Sequence, residues 1–241
     1  MSSDSQAEDY CHRGNELFKL GRYDEALESF DQALKLKPDY TTVWNNRGLL
    51  LENLGRHAEA VESYDKAIRL IHDNPNVWKN RGNALSSLGR HAEAVESYDQ
   101  GLKINPDNDS SWNNRGFSLN ELGRYEEALE SYDRAIKINP DNYASWSNRA
   151  SSLKGLSRHI EALESFDKAL KLKPDSSVVW YNRGDELQDL GRHAEALESY
   201  DRALKINPNY STAWNNRGNV LSKLDRYADA IESYDLSLIH I

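Results

Sequence analysis

The residues best equipped for chemistry are four histidines, His57, His91, His159 and His193, and a recurring serine–aromatic–aspartate triplet of which Ser63, Tyr64 and Asp65 form one copy. A serine close to a histidine and a carboxylate is the raw material of nucleophilic hydrolysis, and clustered histidines are the raw material of a zinc site. Spacing argues against both. The histidines share one column with Tyr23, Tyr125 and Tyr227, at multiples of 34 residues. Packed helices lie roughly 8–10 Å apart, so neighbouring copies cannot share a metal that needs bonds of about 2 Å. A packing role is expected for them. The serine triplet occurs seven times, which does not suit a single catalytic centre, and HExxH, paired CxxC, GxxxxGK[ST], GxGxxG and GxSxG patterns are absent. No cofactor or metal is expected, and the chain reads as a binding protein without enzymatic activity.

Two other columns recur with the same period. Arg13, Arg47, Arg81, Arg115, Arg149, Arg183 and Arg217 need an acid each if they are buried, because an uncompensated buried charge costs several kcal/mol. The glutamates Glu28 to Glu232 and the aspartates Asp31 to Asp235 supply equal numbers, so an internal Arg–carboxylate ladder is the expectation, ahead of an anion-binding groove. One residue before each of the last six arginines stand Asn46, Asn80, Asn114, Asn148, Asn182 and Asn216. No apolar stripe calls for an amide there. An amide both donates and accepts, so it can satisfy the N–H and C=O of an extended peptide whatever its side chains; bridging of adjacent helices is the competing role.

The elements that must position these columns follow from Trp44, Trp78, Trp112, Trp146, Trp180 and Trp214, spaced by 34 residues, with Tyr10 in the same slot one period earlier. A fixed period of this size marks stacked units, none of which buries its apolar face alone. Within a unit, Trp44, Gly48 and Leu51 fall at i, i+4 and i+7, and Ala60, Tyr64, Ala67 and Ile68 at i, i+4, i+7 and i+8, which are two helical stripes. Gly55 separates them, and prolines such as Pro38 and Pro106 close the unit. First helices are predicted to start near residues 7, 41, 75, 109, 143, 177 and 211, second helices near 24, 58, 92, 126, 160, 194 and 228, with a capping box at Ser5 and Glu8. A mid-helix glycine costs about 1 kcal/mol against alanine, so Gly48 and its column-mates imply a close facing helix. Alanines such as Ala60 should keep that helix slim, while Trp and Tyr fill the gaps between hairpins, with each Trp substantially buried. Ala150, Ser157, Asp225 and His72 break the pattern, so irregular joints are expected after the second and fifth units.

Trp, Gly four residues later, a large apolar residue, then Ala, an aromatic, Ala and Pro closing 34 residues together resemble the tetratricopeptide repeat, over about residues 7–235. The wording W-x-N-R-G, L-G-R and E-A-L-E-S-Y-D is similar to the variant abundant in cyanobacterial repeat proteins. The resemblance implies an all-α, right-handed superhelical solenoid of antiparallel helix hairpins, with a concave groove lined by first helices, that acts as a protein-interaction scaffold for an extended peptide. The asparagine column resembles the amide ladder of peptide-binding superhelices. Specificity is expected from two variable columns on the same helix face, one holding Lys79 and Tyr181, the other Asn83 and Phe117. Lys79, Asn83 and Asn114 match a co-chaperone carboxylate clamp, but Ala144 and Asn148 stand where its last Lys and Arg belong, leaving the clamp incomplete. The competing class is a targeting arm of a larger transferase or kinase.

Composition bounds the partners. Thirty Lys+Arg against 39 Asp+Glu give a net charge of −9, which argues against nucleic acid. A single cysteine, Cys11, a polar start and no long apolar run point to a cytoplasmic protein without a membrane segment. Residues 1–6 are expected to be a flexible N-terminus, 7–235 one solenoid of seven repeats, and 236–241 an atypical tail. LSLIHI replaces the expected repeat ending and also translates the adapter tail of transposase-based sequencing libraries, so a truncated gene is expected there. Self-association through an uncapped seventh unit is a further expectation.

Overall fold

In the computed structural model, which describes residues 2–239, the chain divides into two compact units, Met1–Leu122 and Gly123–Ile241. The first holds α1 (Ser3–Lys19), α2 (Tyr23–Leu36), α3 (Thr41–Asn53), α4 (His57–Leu70), α5 (Pro75–Ser87), α6 (His91–Ile104) and α7 (Asp109–Glu121). The second holds α8 (Tyr125–Ile138), α9 (Tyr143–Gly155), α10 (His159–Leu172), α11 (Ser177–Asp189), α12 (His193–Ile206), α13 (Ser211–Lys223) and α14 (Tyr227–Ile239). The described residues contain no strand. In each unit consecutive helices pack on one another, so hairpins such as α3/α4, α5/α6, α9/α10 and α11/α12 stack in chain order around a continuous core.

Most helix starts lie at or within one residue of the predicted positions. The exception is α1, which begins at Ser3 because the Ser2 side chain accepts from the Ser5 N–H; residues 3–6 are helical rather than a flexible lead-in, and the cap is Ser2 rather than Ser5. Met1 lies outside the described residues. At the other end the expected atypical tail is divided: residues 236–239 continue α14, and residues 240–241 lie outside the described ones.

Each hairpin turn carries one residue in the left-handed region, glycine in most copies. Ser157 (φ 59°) and Asp225 (φ 57°) adopt it too, so these substitutions keep the turn they were expected to disturb. The second junction is equally regular. Pro75 opens α5, where its missing N–H is no loss, and Trp78 Nε1 donates to His72 O at 2.7 Å, as Trp44 Nε1 does to Pro38 O at 2.8 Å.

The aromatic of the second helix, rather than a slim alanine, occupies the space opposite Gly14, Gly48, Gly82, Gly184 and Gly218 of the first. A Cβ on Gly48 would lie 2.5 Å from the Tyr64 ring, which is fully buried within its own hairpin. The tryptophans are mostly buried, as expected, and each indole N–H donates to the carbonyl six residues before it, at 2.7–2.9 Å.

Candidate functional site

The two constant polar columns sit side by side on the first helices and behave differently. Arg47 Nε donates to Asp31 of the preceding repeat at 2.8 Å, and its Nη1 donates to Ser63 of its own repeat at 2.7 Å. Arg81 repeats this with Asp65 and Ser97, Arg149 with Asp133 and Ser165, Arg183 with Asp167 and Ser199, and Arg217 with Asp201 and Ser233. Arg115 takes Asp99 at 2.6 Å. The ladder therefore uses the aspartate column, and the glutamates Glu28 to Glu232 are not its acids. A guanidinium held by a carboxylate and a hydroxyl is part of the scaffold, and four of them also lie over their own Trp rings at 5.6–5.9 Å.

The asparagines make amide-to-amide contacts whose partners change from repeat to repeat. On α3, Asn46 Nδ2 donates to Asn15 of α1 at 2.9 Å while Asn45 donates to Asn46 Oδ1 at 3.4 Å. Asn80 donates to Asn45 at 3.4 Å, and Asn114 to Asn83 at 3.0 Å, with Asn113 donating to Asn114 at 3.3 Å. In the second unit Asn216 donates to the Tyr181 hydroxyl at 3.1 Å. Asn148 on α9 and Asn182 on α11 are half-buried, as are the other four. Bridging of adjacent first helices, the competing role, thus accounts for one N–H of each amide traced. Asn216 also hydrogen-bonds the Tyr200 hydroxyl, whereas Asn46, Asn80 and Asn114 keep further donor and acceptor capacity.

The variable columns flank these amides. Lys79 is half-buried on α5 and has no acidic partner among the described residues. Asn83 accepts from Tyr98 Oη at 2.8 Å, and Phe117 is 43% exposed with its ring edge-on to His91. Tyr181 lies between Tyr200 and Tyr210, its ring tilted against both at 5.9 and 4.9 Å; burial, then the charge of Asp185, raises its hydroxyl pKa, so it stays a neutral donor and acceptor.

One polar cluster was not anticipated. Glu186 of α11 is fully buried, with Oε1 2.5 Å from His159 Nδ1 and Oε2 3.9 Å from Lys154 Nζ. Lys154 also reaches Asp185 at 2.5 Å and Asp189 at 2.9 Å; burial lowers its pKa, and these two hydrogen bonds outweigh burial and raise it. His57, His91 and His193 fit the packing role, each with Nδ1 buried and unbonded, whereas His159 in the same column holds a carboxylate. The signal was in the sequence: Glu186 shares its column with Leu50, Ala84, Ser118, Ser152 and Val220, all buried, and with Glu16 of the first repeat, which is exposed, so an acid inside the array needed an internal partner. No group of three His, Cys, Asp or Glu among the described residues could hold a metal ion, and no described helix is long and apolar enough to cross a membrane.

Comparison with known proteins places this geometry among repeat proteins. Family models described as tetratricopeptide repeat match residues 12–75, 75–108, 110–142, 143–176, 177–210 and 199–232. Among solved structures, a tetratricopeptide repeat protein from Parabacteroides merdae is similar at TM-score 0.79 and 19% identity, over 98% of this chain and 93% of that one. MamA is similar at TM-score 0.68 and 20% identity, over 70% of this chain and 92% of MamA. YrrB, described as a tetratricopeptide repeat protein with an unusual peptide-binding site, is similar at TM-score 0.64 and 23% identity, over 78% of this chain and 96% of YrrB. At these identities the likeness concerns the fold. Comparison with curated proteins finds no match.

Proposed function

This chain belongs to the tetratricopeptide repeat family, and we propose that it is a non-enzymatic scaffold whose first helices hold an extended peptide against the asparagine column. The observation that carries the reading is the half-satisfied amide. Asn114 spends one N–H on Asn83 and one lone pair on Asn113, and the remaining N–H and lone pair complement the C=O and N–H of a passing backbone. YrrB, with its peptide-binding site on the same kind of fold, supports this direction.

In the first unit, Asn46, Asn80 and Asn114 span two steps of roughly 8–10 Å, about 16–20 Å in all, which is five or six extended residues at ~3.3 Å each. Lys79, with no internal acid, favours an acidic side chain in that segment, and the Phe117 ring favours an apolar one. In the second unit Tyr181 offers an aromatic surface in the same column as Lys79.

The test is peptide-array selection followed by titration of the best peptide against variants. Replacing Asn80 and Asn114 together by Ala should weaken it by about 1–3 kcal/mol, at ~0.5–1.5 for each amide, with helicity unchanged. Lys79→Glu should exchange acidic for basic preference at one peptide position. Binding by the double alanine variant as tight as the parent's would assign the amides to the scaffold alone.

A further inference from the structure

The polar cluster on α11 holds more acid than base, and its charges are poorly matched. Asp185 and Asp189 lie one helical turn apart, at i and i+4, with side chains 34% and 47% exposed, while Glu186 beside them is fully buried. One ammonium, Lys154 of α9, serves all three. It stands 2.5 Å from Asp185 Oδ2 and 2.9 Å from Asp189 Oδ2, but 3.9 Å from Glu186 Oε2. That buried Oε2 accepts no hydrogen bond, and only Oε1 of the same carboxylate is held, by His159.

This order is the reverse of what solvation favours. A buried carboxylate loses its water and depends on protein donors, whereas an exposed one keeps water on its free side. The ammonium nonetheless sits with the two exposed acids, and neither Oδ1 of that pair accepts a hydrogen bond among the described residues. A second cation at Asp185 and Asp189 would let Lys154 turn to Glu186 Oε2 and complete it. No other lysine or arginine among the described residues pairs with these three acids, so the second cation has to come from a ligand. The surroundings suit a guanidinium. Tyr181 lies one turn before Asp185 on the same face of α11, and its ring is flanked at 4.9 Å by Tyr210, the residue before α13; both are half-buried. An arginine can lie along tyrosine rings while its planar fork reaches carboxylates, whereas a lysine offers a single point of charge.

We propose that the groove of the second unit seats an arginine side chain of the bound peptide, its guanidinium on the free oxygens of Asp185 and Asp189 and its stem against Tyr181 and Tyr210, while Lys154 turns from those acids to Glu186. This site rests on the peptide-binding reading and adds the residue that the peptide must carry. It also gives the two units opposite preferences. Lys79 and Asn83 hold in the first unit the columns that Tyr181 and Asp185 hold in the second, so the first favours an acidic residue and the second a basic one.

Peptides selected from an array on the 241-residue chain decide it, and the first step needs no protein variant. The parent should prefer peptides with arginine at one fixed position, and citrulline there, which keeps the shape and removes the charge, should weaken binding by about tenfold. Asp185→Asn with Asp189→Asn should weaken the arginine peptide by a similar factor and leave the citrulline peptide unchanged, with circular dichroism confirming helicity. Glu186→Gln touches no ligand atom, yet it should weaken the arginine peptide by about threefold, because Lys154 then has no buried charge to turn to and stays on Asp185 and Asp189. If no peptide binds the parent, the peptide-binding reading falls and this inference with it. Selected peptides without a preferred arginine, or an arginine peptide indifferent to citrulline or to the paired Asn variant, would overturn the arginine site alone. Binding unaffected by Glu186→Gln would overturn the exchange at Lys154.

Discussion

Asn46 and Arg47 are adjacent in sequence, on one helix, and each belongs to a column that barely changes, yet their surroundings are opposite. The arginine finds an Asp sixteen residues back and, in most copies, a Ser sixteen residues on, at nearly the same distances each time. The asparagine finds Asn15, Asn45, Asn83 or the Tyr181 hydroxyl, depending on the repeat. A constant residue with constant partners serves the stacking of repeats. A constant residue whose partners change is not tied to any one of them, and in the peptide-binding reading proposed above its spare bonding capacity suits a ligand's backbone.

That contrast is most directly broken by alanine at each column in the same repeat. Arg81 is 19% exposed and joins Asp65 to Ser97, so Arg81→Ala strands a carboxylate between helices; a loss of about 2–3 kcal/mol in urea unfolding is expected. Asn80→Ala should cost less than about 1 kcal/mol, because its one traced contact, at 3.4 Å, is long and its surroundings half-exposed. Equal losses would mean that the two columns share one structural role.

A smaller effect is expected at the glycine column. Gly48→Ala gains about 1 kcal/mol of helix propensity but drives a methyl to 2.5 Å from the Tyr64 ring, whose hydroxyl is tied to Glu52. Overpacking of this kind costs about 1–3 kcal/mol, so the net is a loss of up to about 2 kcal/mol. Ala150 occupies the same column opposite Phe166, which has no hydroxyl to tether it. Adding Tyr64→Phe to Gly48→Ala should therefore recover part of the loss, and a double variant no more stable than the single would show that the backbone, not the tether, sets the limit.

The repeat made most of the fold legible. Stripes, turn glycines and closing prolines place helices nearly to the residue, because seven copies of one signal average away local ambiguity. Partner choice was less legible. The arginine ladder was expected, but glutamate and aspartate columns were equally numerous, and only the sixteen-residue offset between stacked helices selects Asp31 for Arg47. The Glu186 cluster was missed because its column holds Glu16, exposed in the first repeat, among Leu, Ala, Ser and Val, so an acid there looks unremarkable until burial shows that Glu186 must be paired.

Glu52 gives the finest test of the difference between constant and changing partners, because its column-mate Gln188 does the same task without charge. Tyr64 Oη donates to Glu52 Oε2 at 2.5 Å, and Tyr200 Oη donates to Gln188 Oε1 at 3.2 Å. Burial raises the Glu52 pKa above the ordinary carboxylate value, only partly opposed by the Tyr64 hydroxyl and by His57. The folded state therefore holds this proton more tightly than the unfolded chain does. The group's favourable contribution is complete below the ordinary carboxylate range, near pH 4, and is lost as pH rises through the raised value. Glu52→Gln keeps the acceptor and removes that loss, so the variant should be more stable than the parent at pH 7 by about 0.5 kcal/mol, an advantage that shrinks towards zero as pH falls to about 4. Urea unfolding at the two pH values measures it. A variant less stable at pH 7 would show that the charge strengthens the tyrosine hydrogen bond by more than burial costs it, and that Glu52 and Gln188 are not interchangeable partners.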